Sequence, residues 1–445
     1  MSVSPARKLA YEILRRVERG RDFAADLLRA PEVSSLSEPD QNLTTELVLG
    51  VLRRRAELDA WIRRLSGKEL DYFDSEIVTI LRLGVYQVRQ LDRVPKSAAV
   101  NEAVETAKAA RKRSAAGLVN AVLRKCDPPP RMFAPATADT ESLRLALPAW
   151  LVERWRQRFG AEVETALARQ SLEAPRIAVR LADASGDLEA IRRELAAENV
   201  GTEASAYSPH ALVITSGTVT RTRIWRAGRL VIQDEASQLV GSLVAPEAHQ
   251  RVLDLCCAPG MKTSQIAAGL KDGLLIASDI SARRLSSMGA MVRHSIPATV
   301  GWFRVRLDAS LPLPFACRFD RILLDAPCSG TGTLARNPEI KWRLNPKDIA
   351  RLSELQVRML RGALPTLAPG GRLVYATCSL EREESEGVVE SALAEASGFR
   401  RLTRAELVRE WPTFEPLFGN EGYFRTRPDL HGTDGFFAAV VRREI

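Results

Sequence analysis

Two cysteines stand directly after strand-like runs in the C-terminal half of this chain of 445 residues. FDRILLD is followed by Ala-Pro-Cys, with the thiol at Cys328, and GRLVYAT is followed by Cys378. Asp325 ends the first run. Because the carboxyl ends of parallel strands meet at one edge of a sheet, we expect both thiols and this carboxylate to lie together there. An isolated cysteine is more often a small buried apolar residue, so it is their convergence that favours chemistry.

A thiolate beside a carboxylate suits methyl transfer to C5 of a pyrimidine. That carbon is a poor nucleophile until a thiolate adds to C6 and turns the ring into an enamine. A carboxyl group that protonates or hydrogen-bonds N3, such as Asp325, would favour this addition. A second thiol would assist loss of the C5 proton and release of the first. The spacing alone leaves open which cysteine attacks and which group populates its thiolate.

A binding loop for a nucleoside-containing cofactor is predicted after an earlier strand. The segment DLCCAPGMKT turns through Pro259 and Gly260 into a helix beginning at Thr263, whose first N–H groups are free for a ligand. Asp279 and Asp308 end the next two strands, within reach of a ribose and a base. One such carboxylate is more often a helix cap, but the series favours binding. The loop has neither G-x-G-x-x-G nor G-x-x-x-x-G-K-[ST], which disfavours a pyrophosphate cofactor.

The elements that must position these residues alternate between strand and helix patterns after about residue 250. Continuous apolar runs are typical of strands buried on both faces. They occur at residues 252–256, 274–277, 300–305, 322–324 and 373–376. We therefore predict a Rossmann-like α/β domain with a mostly parallel seven-stranded sheet, closed by an antiparallel edge strand in the run GFFAAVV.

Two further domains are predicted before this one. Residues 1–127 have helical apolar periodicity throughout and predict an all-α domain. The prolines at 128–130 cannot continue a helix and indicate a boundary. Residues 128–235 mix helices with short strands, which predicts a small α+β linker domain, and residues 236–445 form the catalytic domain. The fold class is therefore multidomain.

Composition excludes several classes of protein. With 45% hydrophobic and 27% charged residues, the chain is typical of a soluble globular protein. It has no membrane-spanning run and no signal-peptide core, so we expect a cytoplasmic, monomeric protein without membrane contact. The net charge of +9 and the basic clusters at 53–55 and 111–113 favour a polyanionic partner, although such clusters are usually solvated helix faces. Six sparse cysteines and four scattered histidines predict reduced thiols and no metal site.

Several motifs together resemble a known family. DLCCAPGMKT, DAPCSGTGTLARNPEIKW, ATCSL and the closing DGFFAAV closely resemble the S-adenosylmethionine-dependent RNA cytosine-C5 methyltransferases of the Nop2/Sun type. The segments ARKLAYEILRRV and RVPKSAAVNEAVETAKAARKRSAAGLVNAVLRK resemble the NusB-like RNA-binding domain of the bacterial Sun branch, which methylates 16S ribosomal RNA. The resemblance covers essentially the whole chain. It implies a class I methyltransferase fold, S-adenosyl-L-methionine as cofactor, and a single-stranded or loop region of 16S ribosomal RNA as partner.

The resemblance also implies roles for individual catalytic residues. Cys378 would attack C6, Cys328 would resolve the covalent intermediate, and Asp325 would contact the N3 and N4 edge of the cytosine beside the sulfonium. DNA cytosine methyltransferases resemble this site but use the Pro-Cys thiol, so the assignment rests on the family.

The implied cofactor site consists of the loop together with three carboxylates. Asp279 would bind the ribose, Asp308 would lie near the adenine, and Asp325 near the sulfonium. The loop residues are Cys256, Cys257, Ala258, Pro259, Gly260, Met261 and Lys262. Met261 stands where the family usually has glycine, and Cys257 where it has alanine. These departures predict altered packing and retained binding.

Other functions remain open at this point. The same chemistry on another RNA such as tRNA is one alternative, and a non-catalytic NusB-like RNA-binding assembly factor is another. A dehydrogenase would share the sheet but lacks its fingerprint here, and a small-molecule methyltransferase has no use for a basic helical domain. The target base must be unstacked, because a thiolate cannot reach C6 in a helix. Arg336, Lys341 and Trp342 follow Cys328 and are predicted to line the access path for RNA.

Overall fold

The computed structural model describes residues 3–20, 22–127, 144–183, 186–292 and 295–445, without the side chains of 290 and 291. The predicted boundary at the three prolines lies outside the described residues. The helices are α1 (Pro5–Glu18), α2 (Ala24–Leu27), α3 (Pro31–Ser34), α4 (Glu38–Arg53), α5 (Arg55–Ser66), α6 (Ser75–Gln90), α7 (Lys96–Ala109), α8 (Ala116–Arg124), α9 (Ala149–Phe159), α10 (Ala161–Gln170), α11 (Leu188–Ala197), α12 (Arg223–Arg226), α13 (Glu235–Leu243), α14 (Met261–Leu270), α15 (Ala282–Val292), α16 (Ile340–Arg343), α17 (Pro346–Ala363), α18 (Glu386–Leu393), α19 (Arg404–Glu410) and α20 (Pro428–His431).

The strands follow the linker region. They are β1 (Ile177–Leu181), β2 (Gly201–Ala204), β3 (Ala211–Ser216), β4 (Leu230–Ile232), β5 (Arg251–Leu255), β6 (Gly273–Asp279), β7 (Val300–Arg306), β8 (Phe319–Asp325), β9 (Leu367–Thr377), β10 (Phe399–Arg401), β11 (Phe424–Arg425) and β12 (Phe437–Arg443). The described part of the chain has no helix that is both long enough and apolar enough to cross a membrane.

The chain packs into two compact units, and the first consists of Met1–Ala174 together with Leu334–Leu344. Its helices bury the predicted apolar stripes in one core, which confirms the all-α N-terminal region. Helices α4 and α6 approach closely at Gly50, where a Cβ atom would overlap the ring of Tyr86. The second unit consists of Pro175–Thr333 and Asn345–Ile445. These units follow packing, so the domain boundaries predicted from the sequence remain predictions.

The segment 334–344 belongs to the helical unit although it follows the predicted catalytic loop in sequence. Trp342 Nε1 donates a hydrogen bond of 2.7 Å to the Leu52 carbonyl, and Lys341 Nζ donates one of 2.9 Å to the Arg53 carbonyl. The Arg53 side chain in turn donates to the Ala335 carbonyl at 3.0 Å. Lys341 is only 1% exposed. The interpretation of Lys341 as a residue lining an RNA path is therefore wrong, and Arg53 is buried instead of forming a solvated basic cluster.

A small antiparallel sheet begins the second unit, with strand order β2-β3-β1-β4. It packs Val179, Leu181 and Leu212 against Ile191 and Leu195 of α11. The predicted strands at 177–181 and 211–215 and the helix at 188–195 are present, in agreement with an α+β linker. The sequence analysis missed β2 and β4 because they contain only four and three residues.

The large sheet has the order β10-β12-β9-β8-β5-β6-β7, and the two-residue strand β11 pairs with β12. Strands β9, β8, β5, β6 and β7 are parallel, which confirms the mostly parallel seven-strand path. The closing strand β12 is antiparallel to β9 as predicted. It is not the edge strand, because β10 pairs with its outer side. The sequence Phe-Arg-Arg of β10 is too short and too polar to indicate a strand.

Alternate residues of the parallel strands enter two different cores. Val252, Leu323 and Val374 face one core, and Leu253 and Leu324 face the other. The order β7-β6-β5-β8-β9 also reverses direction at β5, since the chain builds outward first through β6 and then through β8. The crevice at the carboxyl ends of β5 and β8 is the position where open α/β sheets bind ligands.

Candidate active site

The two predicted thiols lie side by side at this crevice. Strands β8 and β9 are parallel neighbours in which Asp325 is opposite Ala376. The Gly332 N–H donates a hydrogen bond of 2.9 Å to the Cys378 carbonyl and ties the loop after β8 to the end of β9. The Sγ atoms of Cys328 and Cys378 are 3.4 Å apart. Both residues are partly exposed, as a group that reacts with a substrate must be.

The environment of the two sulfur atoms is not symmetric. The contact with Cys378 raises the pKa of the Cys328 thiol well above its ordinary value, and burial and the negative charge of Glu384 add to this rise. Two thiols in contact do not both ionise, because the second negative charge would be placed beside the first. Cys328 therefore holds its proton, and its S–H group can donate to the sulfur of Cys378.

The carboxylate that accompanies the thiols is paired with a lysine of the predicted cofactor loop. Lys262 Nζ lies 2.8 Å from Asp325 Oδ2 and 4.8 Å from the centre of the Phe436 ring. Burial alone would lower the pKa of Lys262, but the charge and hydrogen bond of Asp325 more than offset it and raise that pKa. The lysine also interacts electrostatically with Cys378. A positive charge is thus held between Asp325 and Cys378.

The predicted cofactor loop turns sharply between β5 and α14. Cys256 has φ 62° and Gly260 has φ 103°, both in the left-handed region. A Cβ atom at Gly260 would come within 2.6 Å of Met288, so glycine is required by space as well as by conformation. Met261 and Cys257 pack against the apolar cluster around Met288. The Cys257 N–H donates to the Ser278 carbonyl at 2.9 Å. The helix N-terminus of α14 therefore faces the crevice on a rigid turn.

The predicted ribose and adenine ligands lie at the ends of the next two strands. Asp279 is 3% exposed, and its Oδ1 accepts a hydrogen bond of 2.8 Å from the Ser281 N–H. Asp308 Oδ1 accepts hydrogen bonds from the N–H and hydroxyl groups of Ser310, at 2.9 and 2.7 Å. The Ser310 bonds lower the pKa of Asp308. Both carboxylates thus cap a turn, and each keeps a second oxygen that can accept from a ligand.

Two buried carboxylates near the crevice were missed by the sequence analysis. Asp254 is 1% exposed; its Oδ2 accepts a hydrogen bond of 2.6 Å from Thr263, and its Oδ1 has no partner within the described residues. Burial raises the pKa of Asp254 to about 7. Glu384, in a turn after β9, is fully buried beside the residues that follow Cys328 and Cys378. Its sequence context, EREESE, is typical of an exposed turn and gave no signal.

No group of three or more His, Cys, Asp or Glu residues that could hold a metal ion occurs within the described ranges. The chemical groups that the structure brings together are two thiols, an Asp–Lys pair and a helix N-terminus.

Three family models match the chain in succession. Residues 4–128 match the NusB family, and residues 147–220 match the ferredoxin-like domain of RsmF/B-like methyltransferases. Residues 242–442 match the 16S rRNA methyltransferase RsmB/F family. The last match contains the whole crevice described above.

Full-length relatives agree with these matches. The chain is 31% identical to the probable ribosomal RNA small subunit methyltransferase B of Bacillus subtilis (strain 168), with 100% of both chains covered. It is 32% identical to the probable enzyme of the same name from Synechocystis sp., with 98% of this chain and 99% of the relative covered. The crystal structure of PH0851 covers 100% of both chains with a TM-score of 0.81 at 24% identity, which shows a common fold.

Proposed function

The chain belongs to the 16S rRNA methyltransferase RsmB/F family, and from this premise we propose that it transfers a methyl group from S-adenosylmethionine to C5 of a cytosine in 16S ribosomal RNA. The observation that carries the proposal is the pair of sulfur atoms 3.4 Å apart at the sheet switch point. Methyl transfer to oxygen or to an exocyclic nitrogen needs no thiol. Two thiols in contact are what attack on an unactivated ring carbon requires.

In the first half of the proposed reaction, Cys378 is the nucleophile. Its thiolate forms the S–C6 bond, and the electron pair of the C5–C6 double bond makes C5 nucleophilic. Asp325 hydrogen-bonds the N3 and N4 edge of the cytosine and stabilises the enamine. The Lys262 ammonium, which interacts with both Asp325 and Cys378, favours the thiolate before attack.

In the second half, Cys328 resolves the adduct. After attack, Cys378 is a neutral thioether and no longer opposes a negative charge on Cys328. The thiolate of Cys328 therefore costs less free energy at this stage than before attack. It can take the C5 proton as the C5–C6 double bond re-forms and Cys378 leaves as a thiolate. The reaction ends with Cys328 protonated and Cys378 anionic, as it began.

S-adenosylmethionine, when bound, supplies an electrophilic methyl group to C5. The residues of the crevice fit this group. The turn through Cys256 and Gly260 presents the positive N-terminus of α14 to the methionine carboxylate. Asp279 and Asp308 retain acceptor oxygens for the ribose and the adenine, and Asp325 lies between the thiols and the loop. The remaining loop residues, Cys257, Ala258, Pro259, Met261 and Lys262, shape the turn.

We propose that the helical unit adds affinity for the RNA. A groove of about 830 Å³ lies between α7 and α8 and is lined by polar residues that include Asn101 and Asn120, with Lys96 and Arg124 at its rim. Arg113, in the turn between these helices, is also exposed. Exposed cations beside amide groups can contact phosphates and the edges of unstacked bases.

The decisive experiment supplies the protein and labelled S-adenosylmethionine to total RNA from cells that lack the gene, and maps the modified base. We expect 5-methylcytosine in 16S ribosomal RNA. Label confined to tRNA would assign the same chemistry to another substrate, and unmodified RNA would favour the non-catalytic assembly factor.

A trapping experiment tests the roles of the two thiols. RNA containing 5-fluorocytosine holds the adduct, because the fluorine cannot leave as the C5 proton does. We expect wild type and Cys328→Ala to form a covalent adduct visible by denaturing electrophoresis, and Cys378→Ala to form none. An adduct with Cys378→Ala would reverse the two roles.

A further inference from the structure

Each of the two thiols is followed in the chain by a buried serine. Ser329 follows Cys328 and is 5% exposed, and Ser379 follows Cys378 and is 2% exposed. Their hydroxyl oxygens lie 3.1 Å apart. The two thiol loops are therefore joined directly behind the reactive sulfur atoms.

Glu384 holds this junction together. One carboxylate oxygen, Oε1, accepts hydrogen bonds from the Ser329 N–H at 2.8 Å and from Gln356 Nε2 at 3.0 Å. The other, Oε2, accepts from the hydroxyl groups of Ser379, at 2.6 Å, and of Ser329. Because a single carboxylate bridges the residues after both cysteines, it fixes the relative positions of the two loops.

The charge of Glu384 needs an explanation beyond these bonds. Glu384 is 0% exposed, and within the described residues it forms no ion pair with Lys, Arg or His. Burial raises its pKa, and the bonds from Ser329 and Ser379 oppose that rise. A buried carboxylate held only by neutral donors is costly. A neutral side chain would accept some of the same bonds at a lower cost, so the negative charge itself has a use.

The two thiols experience opposite charges. Glu384 interacts electrostatically with Cys328, whereas the Lys262 ammonium interacts with Cys378. The other ionisable neighbour of Cys328 is Tyr375 of β9, whose hydroxyl donates to the Glu384 carbonyl at 2.7 Å. The phenol stays neutral, because burial raises the pKa of Tyr375 well above its usual range. A negative charge near one thiol and a positive charge near the other distinguish two otherwise equivalent groups.

We propose that Glu384 is a positioning residue that fixes the two thiol loops and keeps Cys328 protonated, so that Cys378 alone carries the negative charge that attacks the base. The inference rests on the proposed function and extends it to the choice between the thiols. Glu384 touches neither substrate nor cofactor and acts through Ser329 and Ser379.

The test compares three full-length variants. Glu384→Gln removes the charge, and Glu384→Asp keeps the charge but shortens the side chain. Glu383→Gln is the matched control, because it removes an exposed carboxylate from the neighbouring position of the same turn. Without RNA, the alkylation rate of each cysteine by iodoacetamide is measured against pH, by mass spectrometry of the peptides. Methyl transfer to RNA is measured separately as kcat and as KM for the methyl donor.

We expect Glu384→Gln to move the alkylation profile of Cys328 to lower pH by about one unit, as removal of a nearby like charge does. Its kcat should fall by about tenfold, and KM for the methyl donor should stay within about twofold. Glu384→Asp should restore the Cys328 profile while kcat remains low, and Glu383→Gln should match wild type.

Two results would overturn the proposal. One is an unchanged Cys328 profile in Glu384→Gln. The other is a fall in melting temperature and a rise in KM with no change in either thiol profile, which would give Glu384 a packing role only. Should Glu384→Gln fail to fold, a Cys328 profile in Glu384→Asp shifted as far as in denatured protein would also contradict the proposal. Absence of methyl transfer by wild type would refute the proposed function, yet the alkylation profiles would still decide the role of Glu384.

Discussion

Asp254, beneath the cofactor loop, is the buried carboxyl whose protonation bears most directly on stability. Its pKa is about 7 in the folded protein because it is buried, against about 3.9 in an unfolded chain. Between these values the folded protein keeps a proton that the unfolded chain releases. The folded state therefore loses stability as the pH rises from about 4 to about 7, by up to about 1.4 kcal/mol per pH unit.

Asp254→Asn should remove this pH dependence, because an amide does not ionise. We expect the difference in free energy of unfolding between wild type and variant to shift toward the variant by about 1.4 kcal/mol per unit within this window. Urea denaturation at pH 5 and pH 7 measures the shift. A constant offset from the lost Thr263 bond cancels in that comparison. Glu421→Gln, at an exposed position, is the control, and an equal shift in that variant would contradict the assignment to Asp254.

Among the elements, those with strong local patterns were predictable from the sequence. The parallel strands β5, β8 and β9 are buried on both faces and show it as continuous apolar runs, so the rule for parallel sheets placed Cys328 and Cys378 together. Strands of two to four residues leave no such pattern, which is why β2, β4, β10 and β11 were missed. Glu384 was missed because burial of a carboxylate depends on partners from other segments.

The position of α16 could not be predicted for a related reason. Trp342 contacts Leu52, which is 290 residues earlier in the chain, and no local periodicity reports such a contact. Arg55 adds a contact at 5.9 Å from the centre of the indole ring. Sequence order suggested a catalytic-site segment, whereas packing makes α16 part of the helical unit.

Trp342→Ala should accordingly destabilise the helical unit. Loss of the ring and of its hydrogen bond typically costs about 3 kcal/mol or more. Thermal unfolding followed by hydrogen exchange should show faster exchange at the amides around the C-terminus of α4. Phe303→Ala is the control, because that ring is already 59% exposed and should cost little. Unchanged exchange in α4 with reduced order only in the large sheet would contradict the assignment of α16 to the helical unit.

For the protein as a whole, electrostatics connects the net charge of +9 with the proposed RNA substrate. Much of the basic surface that the sequence suggested is absent from solvent, since Arg53 is buried and Lys112 pairs with Asp74 at 2.6 Å. Arg113 and Arg124 remain exposed near the groove between α7 and α8. The contribution of the helical unit to RNA affinity should therefore depend on a few arginines and not on the charge of the whole domain.

The double variant Arg113→Gln and Arg124→Gln tests this in the full chain. Each lost phosphate contact on a single strand lowers the slope of log affinity against log salt by about 0.7, so the double variant should lower it by about 1.4. Fluorescence anisotropy with a single-stranded RNA across a range of salt concentrations measures the slope. Arg192→Gln with Arg193→Gln in α11 is the matched control, because it removes the same net charge from another surface. Equal changes in slope for the two double variants would show that net charge alone attracts the RNA and that the groove between α7 and α8 has no specific role.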